Sequence, residues 1–199
     1  MPELFQKGGP LMWAILGCSV LALAIFLERL VVFMRHRRGT QELVREVENL
    51  VAKEKVDEAV IVCQRAGTPL ARILITALRS AGLPRDQIKT KVEEAGTREL
   101  SSLSRYLGLL ATIANISPLL GLLGTVLGMI EAFNVIAAQG VGTPATLGGG
   151  ISTALITTAA GLSVAIPVIL MHKYLTSRAN RISLELEEYS LHLVDLVGK

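Results

Sequence analysis

Between Tyr106 and Met171 the chain has a single charged residue, Glu131, and between Leu11 and Leu27 it has none. A run as long as the first exceeds any soluble core helix and fits two membrane spans joined by a short turn; the second adds a third span. Aromatic residues make up only 4% of the chain. None forms a stacking platform among the basic residues, and the cations between Arg35 and Arg105 alternate with acidic ones. Nucleic acid is therefore not an expected partner, despite a net charge of +3 and a pI near 9.0. There are two cysteines, Cys18 in the first apolar run and Cys63 in the charged stretch. Their placement argues against a disulfide, neither has a histidine at metal-ligand spacing, and both read as filler. The spans contain no aspartate, and His172 stands at the edge of the last one. Paired-Asp or Ser–His proteolysis within the membrane thus lacks its partners, and no catalytic residue, resident metal or cofactor is expected. Strand-like alternation and a phosphate-binding glycine loop are also missing, which leaves an all-α membrane protein.

What is present supports that class. The composition is 51% hydrophobic and the mean hydropathy is +0.50. Residues 1–10 form a short start without the basic front or A-x-A-like cleavage site of a signal peptide, so 11–34 is expected to stay as the first transmembrane helix. Glu28 and Arg29 near its end are expected to anchor at headgroups or bundle neighbours. Arg35, His36, Arg37 and Arg38 follow at once and mark the cytoplasmic side, so the N-terminus lies outside. Residues 35–105 read as a cytoplasmic helical domain. Thr40 and Thr68 are candidate N-caps, Pro69 a first helical residue, and Gly67 and Gly82 helix stops. From Pro84 one long helix is expected to run through Leu100, Leu103 and Leu107 straight into the second span, 106–138. Gly140, Gly142 and Pro144 supply a turn within 139–147, and the third span covers 148–171. Residues 172–199 continue as a cytoplasmic helix. Its seam of Leu175, Ala179, Ile182, Leu186, Tyr189, Leu193 and Leu196 should pack on the extension of the second span.

The stretch Asn115–Phe133 carries a ladder of small residues. Ser117, Gly121, Gly124, Thr125, Gly128 and Ala132 fall on one helical face, the kind that lets membrane helices approach closely. Pro118 interrupts the hydrogen bonding there, and a buried hydroxyl can relieve that. The third span has a matching face of Ala154, Thr158, Gly161 and Ala165, with Thr153 and Thr157 beside it and Pro167 further on. Packing alone accounts for the glycines. Isolated hydroxyls in such helices usually bond their own backbone. Six of them on adjoining helices, Ser117, Thr125, Ser152, Thr153, Thr157 and Thr158, could instead line a narrow wet path. Glu131 is either a functional intramembrane carboxylate or a group near the outer interface that reaches water.

The segments S-P-L-L-G-L-L-G-T-V-L-G-M-I-E-A-F and G-I-S-T-A-L-I-T-T-A-A-G-L-S-V-A-I-P closely resemble the signature of the ExbB/TolQ/MotA proton-channel family. The start, from K-G-G-P-L-M-W-A-I-L to Glu28 and Arg29, is similar to ExbB-type members, and the likeness covers essentially the whole chain. Three spans in about 200 residues resemble ExbB or TolQ more than the four-span MotA. The resemblance implies a homo-pentamer in the bacterial inner membrane, with a periplasmic N-terminus and a cytoplasmic C-terminus. The pentamer would surround a dimer of an ExbD/TolR-like single-span partner bearing an essential Asp. Ion flow past that Asp would power a TonB-like or TolA-like protein. The resemblance also puts Thr125 and Thr158 on the ion path. Thr153 departs from the pattern, because ExbB and TolQ commonly have a Glu there; this leaves the titrating group to the partner and opens Na⁺ beside H⁺ as the coupling ion. A non-conducting membrane scaffold held by its glycine faces is the alternative from another class.

Overall fold

The computed structural model describes residues 8–36, 40–139 and 144–198. The starting residues before Gly8, the basic pair Arg37 and Arg38, and the expected turn glycines 140 and 142 lie outside the described residues. Among those described, all regular structure is helical. The helices are α1 (Leu11–His36), α2 (Thr40–Ala52), α3 (Val56–Ala66), α4 (Pro69–Arg79), α5 (Arg85–Leu103), α6 (Leu107–Gln139) and α7 (Pro144–Val197). Apolar windows within Leu11–Met34, Arg85–Ala138 and Gly148–Val197 are long enough to cross a membrane. The chain divides into two compact units. One holds the described residues up to Glu28 and Tyr106–Leu175; the other holds Arg29–Arg105 and the tail from Thr176.

The second unit is built around α4. Leu70, Ile73, Leu74, Ala77 and Leu78 recur at three and four residues and are almost wholly buried, with α3 and α5 packed against them. The start of α4 is fixed by Thr68, whose hydroxyl accepts the Ala71 N–H at 3.2 Å, and by Pro69 at the first helical position. The preceding α3 carries Asp57 and Glu58 in its first turn, on the side its dipole favours. It ends at Gly67, which adopts φ +61° and donates its N–H to the Cys63 carbonyl. Gly82 also has a left-handed backbone, φ +89°, but it sits in the loop beyond the α4 cap residue Ser80. Thr40 is the first residue of α2 itself. Arg72 ties α4 to α5 through a two-pronged contact with Glu99, Nε donating at 2.7 Å. That contact holds the guanidinium pKa above its ordinary value, against the opposing effect of burial. The α7 tail buries Ala179, Leu186 and Leu193 of the expected seam. Leu196 is exposed, and Ser190 and Val194 are buried instead. The tail meets the start of α5 through Asp195 and Arg85 at 2.7 Å, and α2 through His192 and Glu48 at 3.4 Å.

The expected continuous helix from Pro84 into the second span is not what forms. α5 ends at Leu103, Ser104 is its cap, and Tyr106 takes φ +65° before α6 begins at Leu107. A left-handed backbone costs a non-glycine residue about 1–2 kcal/mol. Arg29 is only 6% exposed, and its Nη1 donates to the carbonyls of Ser102 at 3.1 Å and Leu103 at 3.5 Å in the last turn of α5. A cation on the last carbonyls of a helix also complements the helix dipole. Of the two expected anchors, headgroups or a bundle neighbour, Arg29 takes the second, on α5, while its neighbour Glu28 is exposed.

The small-residue interface of α6 and α7

Within the first unit, the glycine ladder of α6 lies against α7. A Cβ built on Gly128 would stand 2.6 Å from the Gly150 carbonyl oxygen, and one on Gly150 would stand 2.6 Å from that of Gly128. One turn down, a Cβ on Gly124 would collide with the Thr157 side chain. Below that, Gly121 faces the backbone of Thr157 and Thr158, and a Cβ on Gly161 would meet the Ser117 oxygen at 2.6 Å. The backbones touch at three levels, so any larger side chain would separate the helices. This is the close contact that small residues allow in a membrane, where van der Waals packing drives association.

Of the six ladder positions on α6, Ser117, Gly121, Gly124, Gly128 and Ala132 are buried, and Thr125 is half-buried at the edge of that face. On α7 the buried face is Gly150, Ala154, Thr157, Gly161 and Ala165. Thr157, only 1% exposed, occupies the place expected of Thr158. Thr157 was readable as a small residue, since 150, 154, 157, 161 and 165 follow steps of four, three, four and four. Pro118 is half-buried and Pro167 is exposed.

The hydroxyls divide by partner. Ser117 donates to the Ile113 carbonyl at 2.8 Å, Thr125 to Leu122 at 2.6 Å, Thr153 to Gly149 at 3.1 Å and Thr157 to Thr153 at 2.9 Å, all within their own helices. Pro118 takes a donor from the Ala114 carbonyl, whereas Ser117 bonds its neighbour Ile113, so this hydroxyl does not replace that donor. Thr158 alone among these bonds across the interface, to the Gly121 carbonyl at 2.9 Å. Ser152 is exposed.

Helical geometry then sorts the flanks. Thr158 lies roughly 100° round α7 from Thr157, and Thr125 roughly 100° round α6 from Gly124. The two helices run antiparallel, Gly121 being level with Thr158 and Gly128 with Gly150. Offsets of the same sense therefore fall on the same side, and Thr125 and Thr158 share it. Measured from the middle of each buried face, Thr153 lies roughly 80° and Glu131 roughly 60° in the other sense, which puts both on the opposite flank. There Thr153 is approached by the turn before α1, a Cβ on Gly9 falling 3.7 Å from its methyl. Glu131 is exposed. Among the described residues no cluster of His, Cys, Asp and Glu could hold a metal ion.

Comparison with known proteins bears on the same segments. An ExbB-like biopolymer transport protein of Synechocystis sp. is 35% identical over 167 residues, covering 83% of this chain and 80% of its own length. An ExbB homologue of Methanothermobacter thermautotrophicus is 30% identical over 177 residues, 88% of this chain and 63% of that protein. A TolQ protein of Haemophilus influenzae is 41% identical over a shorter 88 residues, 44% of this chain and 39% of that protein. A family model, the MotA/TolQ/ExbB proton channel family, matches residues 65–188, which take in α6, most of α7 and the break between α5 and α6. Three apolar helices, a glycine-lined α6–α7 contact and relatives matched over most of the chain converge on one result: this membrane protein belongs to the MotA/TolQ/ExbB proton channel family.

Proposed function

We propose that the chain is the channel and stator subunit of an inner-membrane motor. With an ExbD/TolR-like single-span partner it couples the proton motive force to work on a TonB-like protein, for transport across the cell envelope. Five copies surround the partner, the N-terminus is periplasmic and the C-terminus cytoplasmic, and the subunit itself performs no catalysis. The observation that carries this reading is the sorting of hydroxyls. Ser117 and Thr157 are sealed inside the α6–α7 contact, whereas Thr125 and Thr158 share one half-open side of it. A tight seal beside a polar flank suits a path that must pass ions without leaking, each charge bringing ~2.3 kcal/mol per 100 mV. With Thr153 on the other flank, the titrating group on the path is the partner's Asp, and H⁺ is the coupling ion, with Na⁺ the competing case.

Two observations favour other readings. The TolQ relatives support a TolA-like recipient and a role in envelope maintenance. The backbone-directed bonds of Thr125, Thr153 and Thr157 support a non-conducting scaffold. Thr158→Val in cells carrying the complete complex separates them. It removes a hydroxyl of nearly constant volume, so the complex should still co-purify while energy-dependent activity falls by about tenfold, the equivalent of one hydrogen bond. Full activity in that variant would leave Thr158 only a packing role. Co-purification with a partner of one Asp-bearing span tests the assembly itself.

A further inference from the structure

We propose that Asn115 and Ser163 form the polar contact between neighbouring copies of this chain, Asn115 of one copy bonding Ser163 of the next. Both stand inside apolar spans, and both lack what other hydroxyls there have. Thr112, Ser117, Thr125, Thr153, Thr157 and Thr158 each donate to a backbone carbonyl. Among the described residues the Asn115 side-chain amide and the Ser163 hydroxyl have no hydrogen bond, and both residues are exposed. They are also level with each other. A Cβ on Gly161 meets the Ser117 oxygen; Asn115 lies two residues before Ser117 and Ser163 two residues after Gly161, and the helices are antiparallel. Ser163 is ten residues short of Lys173, the next charge along α7. That is roughly 15 Å of helix, about half the thickness of the hydrocarbon core. The exposed polar groups Glu131, Asn134 and Ser152 lie toward the α6–α7 connection, nearer the membrane surface.

An amide without a partner at the depth of Asn115 is strongly disfavoured in lipid. One copy cannot join the pair. Measured from the middle of each buried face, Asn115 lies roughly 140° round α6 and Ser163 roughly 160° round α7, so both point away from the α6–α7 contact. A second copy can. Rotation about an axis along the membrane normal leaves every residue at its own depth, so the back of α6 meets the back of the next α7 with Asn115 and Ser163 level. Each side chain carries both a donor and an acceptor. Around them the two faces are exposed and apolar, with Leu119 and Leu122 on α6 and Ile166 and Leu170 on α7. The pair therefore sets the register of an otherwise featureless contact, one that joins copies head to tail and closes into a ring. The inference rests on the ring of copies proposed above and adds which faces meet in it.

The test uses the full chain in native membranes, in a background carrying Cys18→Ala and Cys63→Ala. Chains with Asn115→Cys and chains with Ser163→Cys, each bearing its own tag, are co-expressed and oxidised with copper phenanthroline. A disulfide joining the two tags is expected. Ile116→Cys in place of Asn115→Cys turns its Cβ away and should give at most about a tenth as much. With both cysteines in one chain, the cross-linked ladder should run up to the full ring. A ladder that ends sooner supports the pair and removes the count of five. A ring seen by native mass spectrometry without the Asn115–Ser163 link overturns the pair and leaves the ring standing. Asn115→Leu and Ser163→Ala should each raise the fraction of separated subunits in detergent roughly threefold, and the double variant no further than the stronger single one. Fully additive losses would overturn the bond.

Discussion

Cys63 shows how far the surroundings of one side chain set its chemistry. It is fully buried in the second unit, and burial, with a smaller push from the Glu46 carboxylate, raises its thiol pKa to about 11. At pH 7 about one thiol in ten thousand is then ionised, and the thiolate is the reactive form. Exposure of the native protein to N-ethylmaleimide at pH 7, followed by mass spectrometry, should leave Cys63 unmodified, while the denatured chain is modified readily. Equal rates in the two states would contradict the burial. The sign of the linked stability follows: the folded state holds this proton more tightly than the unfolded one. That contribution is complete below pH 9 and is lost as pH rises through about 11.

At the scale of helices, the α6–α7 contact makes the sharpest prediction. Gly128→Ala and Gly161→Ala would each place a methyl 2.6 Å from a backbone oxygen of the facing helix, where only separation of the helices can relieve it. Each should destabilise the membrane unit by about 1–3 kcal/mol, seen as a lower thermal midpoint in detergent. Gly17→Ala, whose added methyl meets nothing within 4 Å, should leave the midpoint unchanged or raise it. The contact was largely legible in the sequence, because small residues at helical spacing in an uncharged run can do little else. Thr157 is expected beside the face and is buried within it: its side chain is small, and its hydroxyl is satisfied by the Thr153 carbonyl of its own helix. The break at Tyr106 was not legible. No proline or glycine marks it, and the α5 carbonyls just before it accept from a guanidinium 73 residues away in sequence, which no rule of local spacing carries. For Arg29 the sequence leaves headgroups and bundle neighbours both open, and its acceptors on another helix decide for the second.

For the whole molecule, the orientation proposed above predicts opposite labelling of two engineered cysteines. Thr90→Cys, on the exposed side of α5, should react with a membrane-impermeant maleimide only after cells are permeabilised. Gly142→Cys, between α6 and α7, should react in intact cells. The reverse pattern would invert the topology and remove the argument from the basic cluster at Arg35–Arg38. The placement of the close contacts along the chain also bears on how the protein is made. Gly128 meets Gly150 and Gly121 meets Thr158, partners 22 and 37 positions apart on either side of one short connection. Contacts so near in sequence close early. The α6–α7 hairpin can close once Gly161 has emerged from the ribosome, whereas α2 and α5 must wait for His192 and Asp195 to reach them. During translation the membrane hairpin can therefore form before the tail that finishes the other unit has left the ribosome.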